Sequence, residues 1–241
     1  MNRHKVVCLG FAIAVLATLF ALPQTIQAGT PLICHPFDIG NAKSLPRGGN
    51  SWSFSGKEDY DLKRLVEDTL NLLSPDAPII VRMETLRRAT LYALKDPQVG
   101  KELVERVKAR ALAAEAKGRA DPLAWFDAGY LVETYKQANV SFKKLPSGSY
   151  EPVFKPNPAS EFDGFAWVQK AIHLRGQDPE MEFAAALITA LPRQKSYEEH
   201  LRKAVAGATD GSLLAKNLVT HFGQHGSTIA ELRAQVGMAK D

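Results

Sequence analysis

The chain has 241 residues, 45% of them hydrophobic and 23% charged, which is an ordinary composition for a soluble globular protein. Its formal net charge is +4, but Arg3 and Lys5 contribute two of those charges from an N-terminal leader, and no block of basic residues follows. The charge therefore predicts no nucleic-acid partner, and the length allows one or two domains with a sizeable core.

The first 28 residues have the pattern of a signal peptide. Residues 3–5 are basic, residues 6–22 form an apolar run, and residues 26–28, Ile-Gln-Ala, place a small residue at a cleavage site. A transmembrane anchor is the alternative, because the run reaches the lower limit of about 17 residues for a membrane span. We expect cleavage before Gly29, and hence a secreted or periplasmic protein without a membrane attachment.

Residues 29–56 form an irregular N-terminal arm in this interpretation, since prolines and glycines interrupt every helical or strand period. The arm is too apolar for a solvated linker, so we expect it to pack along the helices. Its large apolar side chains are Leu32, Phe37, Ile39, Leu45, Trp52 and Phe54. Because Cys34 is the one cysteine left after cleavage, no internal disulfide is expected. We predict that the small Cys34 side chain is buried and that thiol reagents label it slowly.

Residues 57–138 form a first helical half with four predicted helices. Their starts are marked by a capping-box pair, a proline and two Asp-Pro steps: Ser55 with Glu58, Pro78, Asp96-Pro97 and Asp121-Pro122. The last of these helices, residues 121–138, is apolar on nearly all sides in its first turns, and it should therefore lie inside the array. We expect Trp125, Phe126 and Leu131 to belong to the core.

Residues 139–160 lose all periodicity and contain four prolines, which predicts a connecting loop that serves as a lid or as a tether. Phe142, Tyr150 and Phe154 favour a loop packed against the helices. Residues 161–241 then form a second helical half. Ser196 and Glu199 form one capping-box pair there, and Ser227 is expected to cap the last helix. The total is about nine antiparallel helices without a strand, an all-α array of helical hairpins or an α-α superhelix.

One helix resembles a known repeat family. Trp125, Ala128 and Gly129 resemble the Trp, Leu and Gly that open a tetratricopeptide repeat, with Val132 where that family places a tyrosine. The resemblance covers this helix alone. It implies a concave helical surface that binds peptide partners.

Cys34 and His35 are adjacent, and a thiol beside an imidazole is a candidate for metal binding or nucleophilic catalysis. Haem attachment is not expected, because its motif requires a second cysteine where Pro31 stands. A structural role for Cys34 is the main alternative, since neighbouring side chains of an extended chain point in opposite directions.

Two further groups are candidate binding residues. Arg87 and Arg88, together with Glu84, could form a face that binds anions. The favoured alternative is a solvated helix face on which these charges form ion pairs. His221 and His225 have the spacing of two metal ligands on one helical face, but Gly223 between them favours two exposed histidines at a helix end. We therefore expect no bound metal and no cofactor.

No catalytic motif outweighs these structural interpretations, so we expect a secreted or periplasmic helical module for protein interaction or scaffolding. The alternative is a hydrolase or a thiol- or metal-dependent enzyme that uses Cys34 and His35. A closed pocket that joins Cys34, a histidine and an acid would favour the enzyme, whereas an open, exposed binding surface would favour the interaction module.

Overall fold

The computed structural model describes residues 30–48, 56–191, 194–223 and 227–237, and within them the chain forms an all-α array, as predicted. A 3-10 turn, Leu62–Arg64, precedes the first helix. The nine α-helices of this part of the chain are α1 Leu65–Leu72, α2 Ile79–Ala93, α3 Pro97–Ala116, α4 Pro122–Ala138, α5 Gly164–Arg175, α6 Pro179–Thr189, α7 Tyr197–Gly207, α8 Leu213–Phe222 and α9 Ile229–Gln235. No helix in the described ranges has the length and apolar character that a membrane crossing requires.

The Asp-Pro steps mark helix starts as predicted. Asp96, Asp121 and Asp178 are the N-caps of α3, α4 and α6, and each carboxylate accepts hydrogen bonds from the second and third backbone N–H groups of its helix. The proline that follows occupies the first helical position, where no N–H group is needed. These starts are fixed by local chemistry alone.

Other helix starts differ from the prediction. Ser196 precedes α7, but its side chain makes no capping hydrogen bond. The last helix is capped by Thr228 rather than Ser227, because Thr228 and Glu231 form a reciprocal capping box. Helix α1 follows Asp61 and the 3-10 turn, and Ser55 lies outside the described residues.

The core is built around α2, α4 and α6, which contact one another although other helices separate them in the chain. In α4, Trp125, Phe126 and Leu131 are buried, which confirms their predicted place in the core. Contacts between α2 and α6 favour an array with a shared core over an open superhelix, whose units touch mainly their neighbours along the chain.

Two glycines allow α4 and α5 to approach closely. A Cβ atom added to Gly129 would lie 2.5 Å from the carbonyl oxygen of Gly164, and one added to Gly164 would lie 2.5 Å from that of Gly129. Any larger residue at either position would push the two helices apart. The glycine of the tetratricopeptide-like motif therefore has a packing role in this chain.

The segment predicted as a packed loop is a β-hairpin, which corrects the expectation of no strand. Strand β1, Val140–Lys144, pairs antiparallel with β2, Tyr150–Phe154. Phe142, Tyr150 and Phe154 are exposed instead of packed. Helices α4 and α5, on either side of the hairpin in sequence, pack against each other directly, so the hairpin is not needed to hold them together.

The arm packs along the helices over its described part, residues 30–48, as predicted. Leu32, Phe37 and Leu45 are buried in the same core as the helices. Cys34 is half-buried, so it is less enclosed than we expected. Trp52 and Phe54 lie outside the described residues.

Phe126→Ala should lower the free energy of unfolding by about 3–5 kcal/mol, because it removes a fully buried ring and leaves a cavity. The matched control is Phe142→Ala, whose ring is 46% exposed and whose loss should cost about 1 kcal/mol or less. Urea denaturation of both variants and the wild-type protein measures the difference. Equal stability losses would contradict the central position of α4.

Candidate functional site

Four of the six residues selected from the sequence come together where the arm crosses α2 and α8. His35 belongs to the arm, Arg87 and Arg88 to α2, and His221 to α8. Cys34 is next to His35, whereas His225 lies outside the described residues. We call this region, from Ile33 to Leu45 with its partners on α2 and α8, the arm-docking site.

At the centre of the arm-docking site is the carboxylate of Glu84, which is fully buried. Its Oε1 accepts hydrogen bonds from Arg88 Nε at 2.7 Å and Arg87 Nη2 at 3.1 Å. Its Oε2 accepts from Arg87 Nε at 2.7 Å and from the backbone N–H of Phe37 at 3.1 Å. The prediction of a solvated ion-pair face was therefore wrong, because these charges face the arm and not the solvent.

The two arginines bind the arm directly. Arg87 Nη1 donates to the carbonyl oxygen of Ile33 at 2.9 Å, and Arg88 Nη1 donates to that of Leu45 at 2.6 Å. An irregular segment has backbone groups without secondary-structure partners, and a buried group without a partner is costly. The guanidinium groups supply those partners, while Glu84 neutralises their charge.

Glu84 is held in its charged form. Burial alone would raise the pKa of this carboxyl group, but the hydrogen bonds and charges of Arg87 and Arg88 outweigh burial and leave the pKa below its ordinary value. With donors on both oxygens, the carboxylate is already engaged in holding the arm. It is poorly suited to act as a general base.

Asn217 on α8 fixes the next residues of the arm. Its Oδ1 accepts from the backbone N–H of Asp38, and its Nδ2 donates to the carbonyl oxygen of Asp38, both at 2.8 Å. The amide thus pairs with one arm residue as a neighbouring strand would. This side chain is fully buried, and nothing in its local sequence marks it as a contact residue of the arm.

His221 is buried, so the expectation of an exposed histidine was wrong. Its ring stacks on Phe37 at a centroid distance of 4.7 Å and meets the ring of His35 edge-on at 6.0 Å. Nδ1 donates to the carbonyl oxygen of Asn217 at 2.8 Å. Burial lowers the pKa of His221 to about 4, which makes the ring neutral at pH 7.

His35 is neutral for a similar reason. Burial and then the charge of Arg87 lower its pKa. The Nε2 atoms of His35 and His221 are both buried, and neither has a hydrogen-bond partner among the described residues. The described residues include no group of three or more His, Cys, Asp or Glu side chains placed to hold a metal ion.

Cys34 has its own local contacts. Its Sγ accepts a hydrogen bond from the backbone N–H of Thr30 at 3.1 Å, within a turn of the chain. The arm-docking site therefore contains an occupied carboxylate, two neutral imidazoles and a half-buried thiol. As arranged, the carboxylate and the arginines hold the arm in place.

A second buried ion pair joins the two central helices. Arg82 Nη1 on α2 donates to Asp127 Oδ2 on α4 at 2.6 Å, and both side chains are about 1% exposed. Arg82 also donates to the carbonyl oxygens of Ser74 and Ala77. Burial raises the pKa of Asp127 to about 7, although the charge of Arg82 acts in the opposite direction.

No protein-family model, curated protein or solved structure matches this chain. The likeness of α4 to a tetratricopeptide helix therefore rests on Trp125, Ala128 and Gly129 alone.

Glu84→Gln should lower the free energy of unfolding by about 3–5 kcal/mol, because it leaves the buried guanidinium group of Arg87 and the largely enclosed one of Arg88 without their carboxylate. It should also release the arm locally, so that thiol reagents label Cys34 faster in this variant than in the wild-type protein. Denaturation and timed labelling measure the two effects.

The control is Glu102→Gln, which breaks an exposed ion pair with Arg106 on α3 by the same change of side chain. Because exposed pairs contribute little, stability and Cys34 labelling should stay close to wild type. An equal effect of the two substitutions would contradict the role of Glu84 in arm docking.

The stabilising contribution of His221 should depend on pH. Its folded-state pKa of about 4 lies below its ordinary value of 6.5, so the unfolded chain binds the proton more readily between these values. The contribution is fully present above pH 6.5 and is lost as the pH falls toward 4. The stability of the wild-type protein relative to His221→Phe should therefore fall by about 3 kcal/mol from pH 7 to pH 4.

Taking the stability difference between wild type and His221→Phe removes the contribution of titratable groups that both proteins contain. It is measured by urea denaturation at several pH values in that range. A wild-type advantage that stays constant from pH 7 to pH 4 would mean that His221 titrates normally in the folded state.

Proposed function

We propose that this protein is a secreted or periplasmic module for protein interaction or scaffolding, and that it binds an extended segment of a partner protein at its β-hairpin. The exposed aromatic face of the hairpin is the observation that carries the proposal. Export is supported by the leader in residues 1–28, and a protein that stays in the cytoplasm with those residues attached would contradict it.

The aromatic face follows from the register of the hairpin. Val140 lies opposite Phe154, Phe142 opposite Pro152, and Lys144 opposite Tyr150, and residues opposite each other in antiparallel strands share a face. Phe142 is 46% exposed, Tyr150 63% and Phe154 40%. Several large apolar side chains on one face of a protruding hairpin are typical of an interaction surface.

The hydrogen-bond pattern leaves the outer edge of β1 open for pairing. Lys155 N donates to Asn139 O, and Leu145 N donates to Ser149 O, so the odd-numbered residues of β1 face β2. The N–H and C=O groups of the even-numbered residues, Val140, Phe142 and Lys144, therefore point away from β2. On the other edge, Pro152 has no N–H group to offer, which disfavours pairing there.

The charges of the hairpin favour an acidic partner. Lys143, Lys144 and Lys155 are exposed, and Glu151 is the one acidic residue of the two strands. An added strand with apolar side chains on the aromatic face and acidic ones on the opposite face, where Lys143 and Lys155 lie, would complement this surface. The all-α array provides the rigid base from which the hairpin projects.

The alternative of a hydrolase or a thiol- or metal-dependent enzyme that uses Cys34 and His35 stays a prediction. It requires a Cys34 thiol that reacts in the native protein and an activity that Cys34→Ser removes. An activity retained by Cys34→Ser would argue against it.

The test uses peptides of about ten residues that alternate Glu with Val or Lys with Val. The acidic peptide should bind about tenfold more tightly or better, as measured by fluorescence anisotropy, because it complements the hairpin charge. Lys144→Pro should weaken binding further than Lys144→Ala, because both remove the charge but Pro also removes an outward N–H donor.

Leu112→Gln is the control for exposed apolar area, since Leu112 is 48% exposed and belongs to α3, which is not part of the hairpin. It should bind the acidic peptide as the wild-type protein does, whereas Phe142→Thr should not. Equal binding of the two peptides would overturn the preference for an acidic partner. Equal effects of Lys144→Pro and Lys144→Ala would overturn strand addition at β1.

A further inference from the structure

A cleft between α5, α6 and α7 contains a buried carboxylate and an imidazole that the proposed interaction function does not use. Glu182 on α6 is 2% exposed, and its Oε2 accepts a hydrogen bond from His200 Nδ1 on α7 at 2.5 Å. Both residues line the cleft, and so does Ser196 at the start of α7. A serine, a histidine and an acid are thus found in one concave site.

The carboxylate fixes the orientation of the imidazole. Because Nδ1 of His200 donates to Glu182, Nε2 is the nitrogen that remains to accept a proton in the cleft. The ring also packs edge-on against Phe165 at a centroid distance of 5.8 Å. Lys203 lies 3.8 Å from Glu182 Oε1 but pairs more closely with Glu199, at 2.8 Å.

Ser196 lies on the same side of α7 as His200. The backbone N–H of His200 donates to the carbonyl oxygen of Ser196 at 3.1 Å, so the two residues are one turn apart. Side chains in helices lean toward the N-terminus over the residue four positions earlier, so both side chains belong to one face of α7, and both line the cleft. They are not hydrogen-bonded to each other in this structure, where the imidazole pairs with Glu182. The hydroxyl of Ser196 makes no capping hydrogen bond to α7.

The rim of the cleft includes an unusual backbone conformation. Gly176 and Gln177 have φ values of 76° and 58°, and Gln177 is the one non-glycine residue with positive φ in the described ranges. The left-handed conformation is costly for a residue with a Cβ atom, such as Gln177, and such strained residues cluster at functional sites. This turn joins α5 to α6 and lines the cleft beside the pair of Glu182 and His200.

We propose that Ser196, His200 and Glu182 form a catalytic set that transfers the acyl group of a small ester to water. Ser196 Oγ attacks the carbonyl carbon and forms a C–O bond, while its proton moves to His200 Nε2 through one bridging water. The C–O bond to the leaving alcohol breaks, and that alcohol takes the proton from His200. Water then attacks the acyl-serine with His200 as base, which releases the carboxylic acid and restores the serine.

Glu182 does not exchange a proton in these steps. It holds His200 in the tautomer with Nδ1 protonated and stabilises the imidazolium that forms after each proton transfer. The open cleft fits small esters better than long acyl chains, because Ile172 is the one aliphatic side chain larger than alanine among its lining residues.

The test is labelling of the folded mature chain with a fluorophosphonate, which forms a bond to an activated serine with loss of fluoride. Peptide mass mapping should find the label on Ser196, and Ser196→Ala should remove it. His200→Gln should slow labelling by about 100-fold or more, because it removes the general base. Glu182→Gln should slow labelling less, because it keeps the size of the side chain but weakens the orientation of His200.

Ser147→Ala is the matched control, because it removes an exposed serine on the turn of the hairpin. Its labelling rate should equal that of wild type. Circular dichroism of each variant establishes that it is folded, and Ser196→Ala, which changes a helix-start residue without a capping bond, provides a test if His200→Gln does not fold.

Absence of label in the wild-type protein would overturn the proposal. A label on another serine, or a labelling rate of Ser196 that is unchanged in folded Glu182→Gln and His200→Gln, would overturn it as well. None of these results bears on peptide binding at the hairpin, which is measured separately.

Discussion

The hydrogen bonds of Glu84 connect the irregular and the regular parts of this protein. One buried carboxylate accepts hydrogen bonds from two guanidinium groups and from the backbone N–H of Phe37. The same guanidinium groups donate to the carbonyl oxygens of Ile33 and Leu45, which precede and follow Phe37 in the arm. A buried charge is costly unless it is paired and hydrogen-bonded, and these charges meet both conditions. The position of the arm, and with it the aromatic contacts of His221, depends on this arrangement.

The central helices α2 and α4 differ in how many charged side chains they bury. Every residue of α2 except Arg88 is buried, including Arg82, Glu84 and Arg87, so this helix is as central as the mainly apolar α4. A purely apolar α2 would pack as well, but it would not offer donors to an arm that has no secondary structure of its own. The polar residues of α2 therefore determine where the arm lies, while the apolar residues provide cohesion.

The features predicted correctly from the sequence are those with local causes. The carboxylates of Asp96, Asp121 and Asp178 begin their helices by bonding N–H groups two and three residues away, and the apolar composition of the arm is sufficient to predict its burial. Glu84 and Arg88 looked like a surface pair because their i, i+4 spacing is the same on a buried helix as on an exposed one.

The hairpin and the buried position of Asn217 were missed for different reasons. The hairpin contains Pro152, which normally argues against a strand, but this proline stands opposite Phe142, where no ladder hydrogen bond is required. For Asn217, the partner is Asp38, and nothing in the surrounding sequence of either residue points to the other.

That pairing of Asn217 with Asp38 joins residues 179 positions apart in the chain. Contacts of such large sequence separation are slow to form, because the intervening chain must first be brought into place. During synthesis, the arm emerges early and can bind α2, but its bonds to α8 have to wait until nearly the whole chain is available. Until α8 has been made, the arm-docking site is incomplete, and Phe37 lacks the imidazole that covers it in the finished protein.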